Sequence, residues 1–282
     1  MSSVVVLSHR QVEAMPQARC ETKASVLTSI DLGLTTAEVH LNAEGVSFPG
    51  GERLDWNSLE EIRGSENACF RVVSGSAIKI RTFSEWTNRF YGLMPTSAGP
   101  TLLISGIPMH RIKDTDPYRD TVSKIRAIAP IRGRVLDTAT GLGYTAIEAA
   151  KTASLVITIE LDPAVLEIAR LNPWSQRLFH NRAIQQIVGG STEEVKQFGS
   201  ESLSRIIHDP TMFSLAGRMY SLAFYRQAFR ILKPGRRLFH YVGNPESKSG
   251  AVTTKGVVRR LKEAGFRRVR SRLRAFGVVA YK

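Results

Sequence analysis

Residues 135–150 read VLDTATGLGYTAIEAA. Val135 and Leu136 make the end of a buried strand, which closes on the acid Asp137. Small residues and two glycines, Gly141 and Gly143, then lead into an Ala-rich segment that predicts a helix over 144–153. Glycine at such a junction lets the backbone turn sharply and pass close to a ligand. A tight strand-to-helix turn with no ligand is the alternative, because a G-x-G alone is a weak signal.

The next strand sharpens the choice. The stretch LVITIEL, from Leu155, runs into Glu160 and Asp162 about twenty residues beyond the turn, where an acid can accept hydrogen bonds from both hydroxyls of a ribose. The competing role for Glu160 is a helix cap, since Pro163 suits the first position of the following helix. Together the turn and the acid point to a nucleoside ligand. A dinucleotide site would show G-x-G-x-x-G and seat pyrophosphate on the helix N-terminus. Here the acid precedes the glycines, and a carboxylate at Asp137 repels phosphate but suits an ammonium group.

Working outward, the C-terminal half alternates strand and helix. Strands are predicted at GRVLDTA, LVITIEL, IQQIVGG, LSRIIHD and GRRLFHYVG. Between them stand helices, including STEEVKQF with Ser191 and Glu194 as a capping box. A further helix ends at Gly265, and RRVRSRLRAFGVVAYK closes the chain as an antiparallel pair. This rhythm predicts an α/β fold: a doubly wound, mostly parallel seven-stranded sheet with an antiparallel last strand. The first hundred residues differ. Alternating runs around 42–45 and 74–76 signal hairpins, and DWNSLEEI is a short helix capped by Asp55 or Asn57. The expected organisation is a small β-rich domain over 1–100, a connecting and cofactor-covering segment over 101–130, and a catalytic domain over 131–282.

The chain has 282 residues with 39 Lys and Arg against 25 Asp and Glu, a formal net charge of +14. Its mean hydropathy is −0.12 and its pI about 10.2. No stretch approaches the roughly 18 apolar residues of a membrane span, and the N-terminus lacks the basic lead and apolar core of a secretory signal. Two cysteines, Cys20 and Cys69, make no disulfide framework, and no metal cluster is expected. The expected compartment is cytoplasmic. The positive balance favours polyanions, whether RNA, DNA or anionic lipid, with a generally basic proteome as the alternative. Arg268, Arg270, Arg272 and Arg274 at period two suggest a phosphate-binding strip, with a solvated outer strand as the alternative.

The motifs taken in order resemble those of class I S-adenosylmethionine-dependent methyltransferases. VLDTATGLG is similar to that family's first motif, IELD to its second, GGST to its third, IIHDP to its fourth, and ILKPGRRLF to the strand lead-in that follows. The resemblance implies S-adenosyl-L-methionine as cofactor. It is expected among Asp137, Thr138, Ala139, Thr140, Gly141, Gly143, Tyr144, Thr145, Glu160, Leu161, Asp162, Ser191, Thr192 and Asp209. Ala139 stands where the family has its first glycine, so its backbone must avoid positive φ. Ser191 replaces an acid but can still bond an adenine amine.

At the fourth strand end the resemblance puts Asp209 beside the transferred methyl group, orienting or deprotonating a nitrogen, with Pro210 fixing its direction. His208 titrates near neutrality in its free form and is a candidate proton relay, with His240 beside it. His110, Pro210, Phe213 and Tyr241 are candidate substrate contacts. Trp174 is either a stacking surface or simply buried.

The implied activity is methyl transfer, with nitrogen as the expected acceptor atom and RNA favoured as the acceptor. A second resemblance, to spermidine synthase-like aminopropyltransferases, rests on TIELDPAVLEIAR, on IIHDP and on the N-terminal β domain; the charge of +14 argues against it. A non-catalytic RNA-binding module with a degenerate cofactor site is the third reading, supported by Ala139.

Overall fold

The computed structural model describes residues 4–210 and 217–282. The chain divides into two compact units, Met1–Tyr118 with Ala164–Gln176, and Arg119–Pro163 with Arg177–Lys282.

The first unit is built from three small antiparallel sheets. Hairpins form where the alternating runs predict them: Ala37–Leu41 pairs with Gly45–Ser47, and Phe70–Val73 with Ser76–Lys79. Asp55 caps the helix Trp56–Arg63 by accepting the Ser58 N–H. Val39, Val46, Leu54, Leu59, Ile62 and Phe70, all buried, make its core. The third sheet runs past residue 100: Thr101–Ile104 pairs with Arg89–Met94, which pairs in turn with Arg81–Ser84. Trp174 also lies in this unit. Its indole N–H donates to the Leu32 carbonyl at 3.1 Å, its ring faces Tyr118 at 6.2 Å between centroids, and it is half-buried.

The second unit holds one seven-stranded sheet: β1 (Arg134–Asp137), β2 (Leu155–Glu160), β3 (Ile184–Val188), β4 (Leu203–His208), β5 (Leu232–Tyr241), β6 (Arg267–Arg272) and β7 (Gly277–Tyr281). The order is β3-β2-β1-β4-β5-β7-β6. Neighbours are parallel through β5, and β7 is antiparallel to both β5 and β6. This is the doubly wound sheet that the alternation predicted. The strand order reverses beside β1, the place where such sheets open a crevice at their carboxyl ends.

Helix Leu222–Ile231 buries Phe224, Tyr225, Ala228 and Ile231, one stripe at helical spacing. With Val257 and Leu261 of helix Lys248–Glu263, these residues cover Leu136, Ile206, Leu238 and Val278 of the sheet. Each large apolar side chain buried this way contributes about 1.5–3 kcal/mol.

Three local expectations are corrected. The helix after the glycine turn is Tyr144–Ala149, shorter than 144–153. Ser191 is the first helical residue rather than the cap; Gly190 is the cap and has no side chain to offer, and the Ser191 hydroxyl donates to the Thr138 carbonyl at 2.6 Å. The arginine strip is interrupted: the β6–β7 register shifts between Arg267 and Arg270, Arg268 sits at φ +49°, and Arg274 lies in the turn Leu273–Ala275. Arg270 and Arg272 alone keep the period-two spacing.

Candidate functional site

β1 ends on Asp137, which is fully buried. Its Oδ2 accepts from the Thr145 hydroxyl at 2.8 Å and from Thr158 at 3.3 Å. Its Oδ1 is buried with no well-formed hydrogen bond, though the Ala139 N–H lies close enough to favour the ionised form. Burial pushes the carboxyl up to about 7 against the help of Thr145.

The turn that follows is held by short bonds. Thr140 Oγ1 shares a hydrogen with Thr158 Oγ1 at 2.7 Å, and the Gly143 N–H reaches the Thr140 carbonyl. Gly143 sits at φ +78°, and a Cβ there would lie 2.7 Å from a Leu178 methyl. Gly141, at φ +51°, has nothing within 4 Å of where a Cβ would be. One glycine lets the chain pack closely; the other fronts open space. Ala139 is not among the residues with positive φ, as its side chain requires.

Gly141 donates its N–H to Glu160 Oε2 at 2.8 Å, and the Asp162 N–H reaches Glu160 Oε1 at 3.2 Å. The first turn and the second strand end are therefore joined through one carboxylate. Desolvation raises Glu160 to about 7, against these N–H donors. Asp162 is buried beside it, whereas Leu161 is 49% exposed. Ser191, whose proton goes to Thr138, keeps its lone pairs for a donor. Tyr144 and Thr145 are buried in the first helical turn, and Thr192 is half-buried.

β4 ends in His208, Asp209 and Pro210. Helix Pro117–Ile128 supplies Lys124, whose ammonium lies 2.6 Å from Asp209 Oδ2 and 2.8 Å from Asp120 Oδ2. Its Nζ also stands 4.5 Å from the centre of the Tyr241 ring. The Lys124 side chain is only 4% exposed. Burial pulls its ammonium down, but Asp209 and Asp120 outweigh it and hold it charged, above its ordinary range. Desolvation raises Asp209, and Lys124 opposes that rise. Local sequence gave no sign of this triad: Asp120 and Lys124 look like an ordinary helix-face pair, and Asp209 lies 85 residues from Lys124.

The two strand-end histidines are placed differently from expectation. His208 has no exposed surface; its Nδ1 meets Thr138 Oγ1 at 2.7 Å and its Nε2 the Met219 carbonyl at 3.0 Å. Its ring stacks on Phe224 at 4.5 Å and meets His240 edge-on at 4.3 Å. Burial drives His208 down to about 3, and burial beside His208 takes His240 well below its usual range. His240 Nε2 is bonded to the Tyr225 hydroxyl at 2.8 Å. A ring held neutral by burial cannot take up a proton near neutrality, so the relay expected of His208, with His240 beside it, is corrected to a packing role. His110 lies in the first unit, its Nδ1 2.9 Å from Thr101 Oγ1. Phe213 lies outside the described residues. No group of three or more metal-ligating side chains is found among the described residues, and no described helix is long and apolar enough to cross a membrane.

No protein-family profile matches the chain. Solved structures share its architecture at low identity. A spermidine synthase in complex with the transition state analogue AdoDATO has a TM-score of 0.59 at 18% identity, covering 74% of this chain and 77% of that one. Spermidine synthase from Thermotoga maritima has a TM-score of 0.57 at 18% identity, covering 74% and 75%. MNMC2 from Aquifex aeolicus has a TM-score of 0.50 at 19% identity, covering 68% and 70%. These likenesses show the fold alone, a doubly wound, mostly parallel sheet shared with the spermidine synthases. In sequence, the chain is 46% identical over 237 residues to a protein of Methanocaldococcus jannaschii, across 83% of this chain and 80% of that one. It therefore belongs to the same family as that protein, the uncharacterized protein MJ1233.

Proposed function

We propose that the second unit binds S-adenosyl-L-methionine and transfers its methyl group to a nitrogen of an acceptor, RNA being the favoured one. The observation that carries this is a sign reversal. In a chain of net charge +14, the carboxyl ends of β1, β2 and β4 gather Asp137, Glu160, Asp162 and Asp209, and Asp120 joins them, with Lys124 set among them. Such a pocket suits a cationic nucleoside and rejects a phosphorylated one.

The residues fit the cofactor. The unpaired Asp137 oxygen suits the amino acid end, and Glu160 suits the ribose. Leu161 offers an apolar plate and Ser191 an acceptor oxygen to adenine. The open space before Gly141 gives room. Thr138, Ala139, Thr140, Gly143, Tyr144, Thr145, Asp162 and Thr192 shape that cradle. Bound there, the cofactor supplies an electrophilic methyl on a sulfonium.

The chain's part is to hold a neutral amine in line with that carbon and to receive its proton. Asp209, kept directed by Lys124 and Pro210, does this. Asp209 would accept the proton that the amine sheds on methylation and pass it on to solvent. Tyr241, beneath the Lys124 ammonium, borders the acceptor side, with Pro210 as its neighbour. Arg270 and Arg272 on the edge strand, together with the basic helix Lys248–Glu263, supply phosphate contacts outside the pocket.

Aminopropyl transfer is the second reading, favoured by the similarity to spermidine synthases over 74% of the chain, more than the second unit alone. Against it, Lys124 already neutralises the acids that a polyamine ammonium would seek. Calorimetry with S-adenosylmethionine and with its decarboxylated form decides. The first should bind more tightly; binding of the decarboxylated form alone would end the methyltransferase reading. Asp209→Ala should abolish turnover while leaving cofactor affinity within about twofold, and unchanged turnover would remove Asp209 from the mechanism.

A further inference from the structure

We infer that the sheet Arg81–Ser84, Arg89–Met94, Thr101–Ile104 and Ile107–Pro108 in the first unit is a stacking platform for single-stranded nucleic acid. Its two faces differ sharply. Tyr91, Leu93, Leu102 and Ile104 are buried. By alternation the opposite face carries Arg81, Phe83 and Phe90. Phe83 and Phe90 are direct cross-strand partners, 43% and 62% exposed, with ring centres 4.7 Å apart. Trp86, in the turn joining their strands, is 64% exposed.

Two phenyl rings on the open face of a sheet cost hydration free energy and do nothing for the core beneath. Aromatic rings on a sheet face are what unstacked bases need: every base has a π-face, and stacking asks for no particular sequence. The charge along the segment that carries this sheet selects the same occupant. From Lys79 to Lys113 the chain carries Lys79, Arg81, Arg89, Arg111 and Lys113 against the single acid Glu85. Arg81 lies two residues from Phe83 on the same face, placed to meet a phosphate. A second copy of a chain at +14 would bring like charge to this face, whereas a polyanion is drawn to it.

The inference extends the reading of the acceptor as RNA and rests on it for its biological purpose. The binding measured below needs no cofactor, so the two fail separately. A fluorescent oligouridine RNA of about ten nucleotides and the matching oligothymidine DNA would be titrated into full-length protein at several salt concentrations. Phe83→Ala with Phe90→Ala should weaken binding about 10- to 100-fold and leave the salt slope unchanged. Arg81→Ala should lower that slope by about one. Phe83→Tyr with Phe90→Tyr should restore affinity, and Phe83→Leu with Phe90→Leu should not. All three positions are exposed, and far-UV circular dichroism would verify the fold. Tighter binding of RNA than of DNA would assign the face to RNA, and equal binding to single strands generally. Wild-type affinity in the alanine or leucine variant overturns the platform. So does a dimer in solution that the alanine pair converts to monomer without changing oligonucleotide binding.

Discussion

Removing the Lys124 ammonium is the most informative single change, and Lys124→Met does so at similar length. In the wild type Nζ lies 2.6 Å from Asp209 and 2.8 Å from Asp120, in a side chain 4% exposed. Taking one partner from a buried ion pair typically costs about 3–5 kcal/mol, because the other charges stay behind uncompensated. At roughly 2–4 °C per kcal/mol, the melting temperature should fall by about 6–20 °C. The loss should grow with pH. Without the cation the two carboxyls face one another, and Asp209, already raised by desolvation, rises further. A carboxyl whose folded pKa exceeds its unfolded value, about 3.9, is most favourable to folding below that value. Its contribution is lost as pH climbs through the folded pKa. The wild-type advantage should therefore widen from pH 5 to pH 8 in thermal unfolding followed by circular dichroism. Adding Asp209→Asn to Lys124→Met should recover part of the loss at pH 8, and a double-mutant cycle gives the coupling. A deficit under about 1 kcal/mol, or one equal at all pH values, would refute the view of Lys124 as the counter-charge.

Three further outcomes are expected. Asp137 and Glu160, both near 7 in the unliganded protein, must shed protons to face a cation and a ribose, so affinity for S-adenosylmethionine should rise from pH 6 to pH 7 by up to about tenfold per proton released. Calorimetry in two buffers of different ionisation enthalpy checks it, and a flat affinity contradicts it. Stability of the unliganded protein should move the opposite way between pH 4 and pH 7, since both folded pKa values lie above the unfolded ones; urea midpoints across that range are the measure. Gly143→Ala and Gly141→Ala should each cost about 1–3 kcal/mol through positive φ, with more at Gly143 from the Leu178 methyl at 2.7 Å, and Gly141→Ala should also lose cofactor affinity.

The sheet was legible because its information is local. Strand, turn and helix alternate with their own periodicities, and Gly141, Gly143, Glu160 and Pro163 mark the joints. The chemistry of the site was less so, because it arises between segments far apart in the chain. Nothing near Lys124 announces Asp209, 85 residues away. The S-T-E-E pattern spells a capping box, yet the Ser191 hydroxyl is taken by a carbonyl 53 residues back. His208 looked titratable because a free imidazole is; Phe224, Tyr220 and His240, which seal it, come from later segments. The arginine strip failed on a backbone detail, the bulge at Arg268, that side-chain alternation does not encode.

The sealed imidazoles under β4 and β5 invert a habit of interpretation. A midpoint near neutrality in an enzyme's pH profile is customarily credited to histidine. In this protein burial drives His208 down to about 3, while burial pushes the carboxyls of Asp137 and Glu160 up to about 7. Asp137 and Glu160 are placed to give such a midpoint, and neither buried strand-end imidazole is.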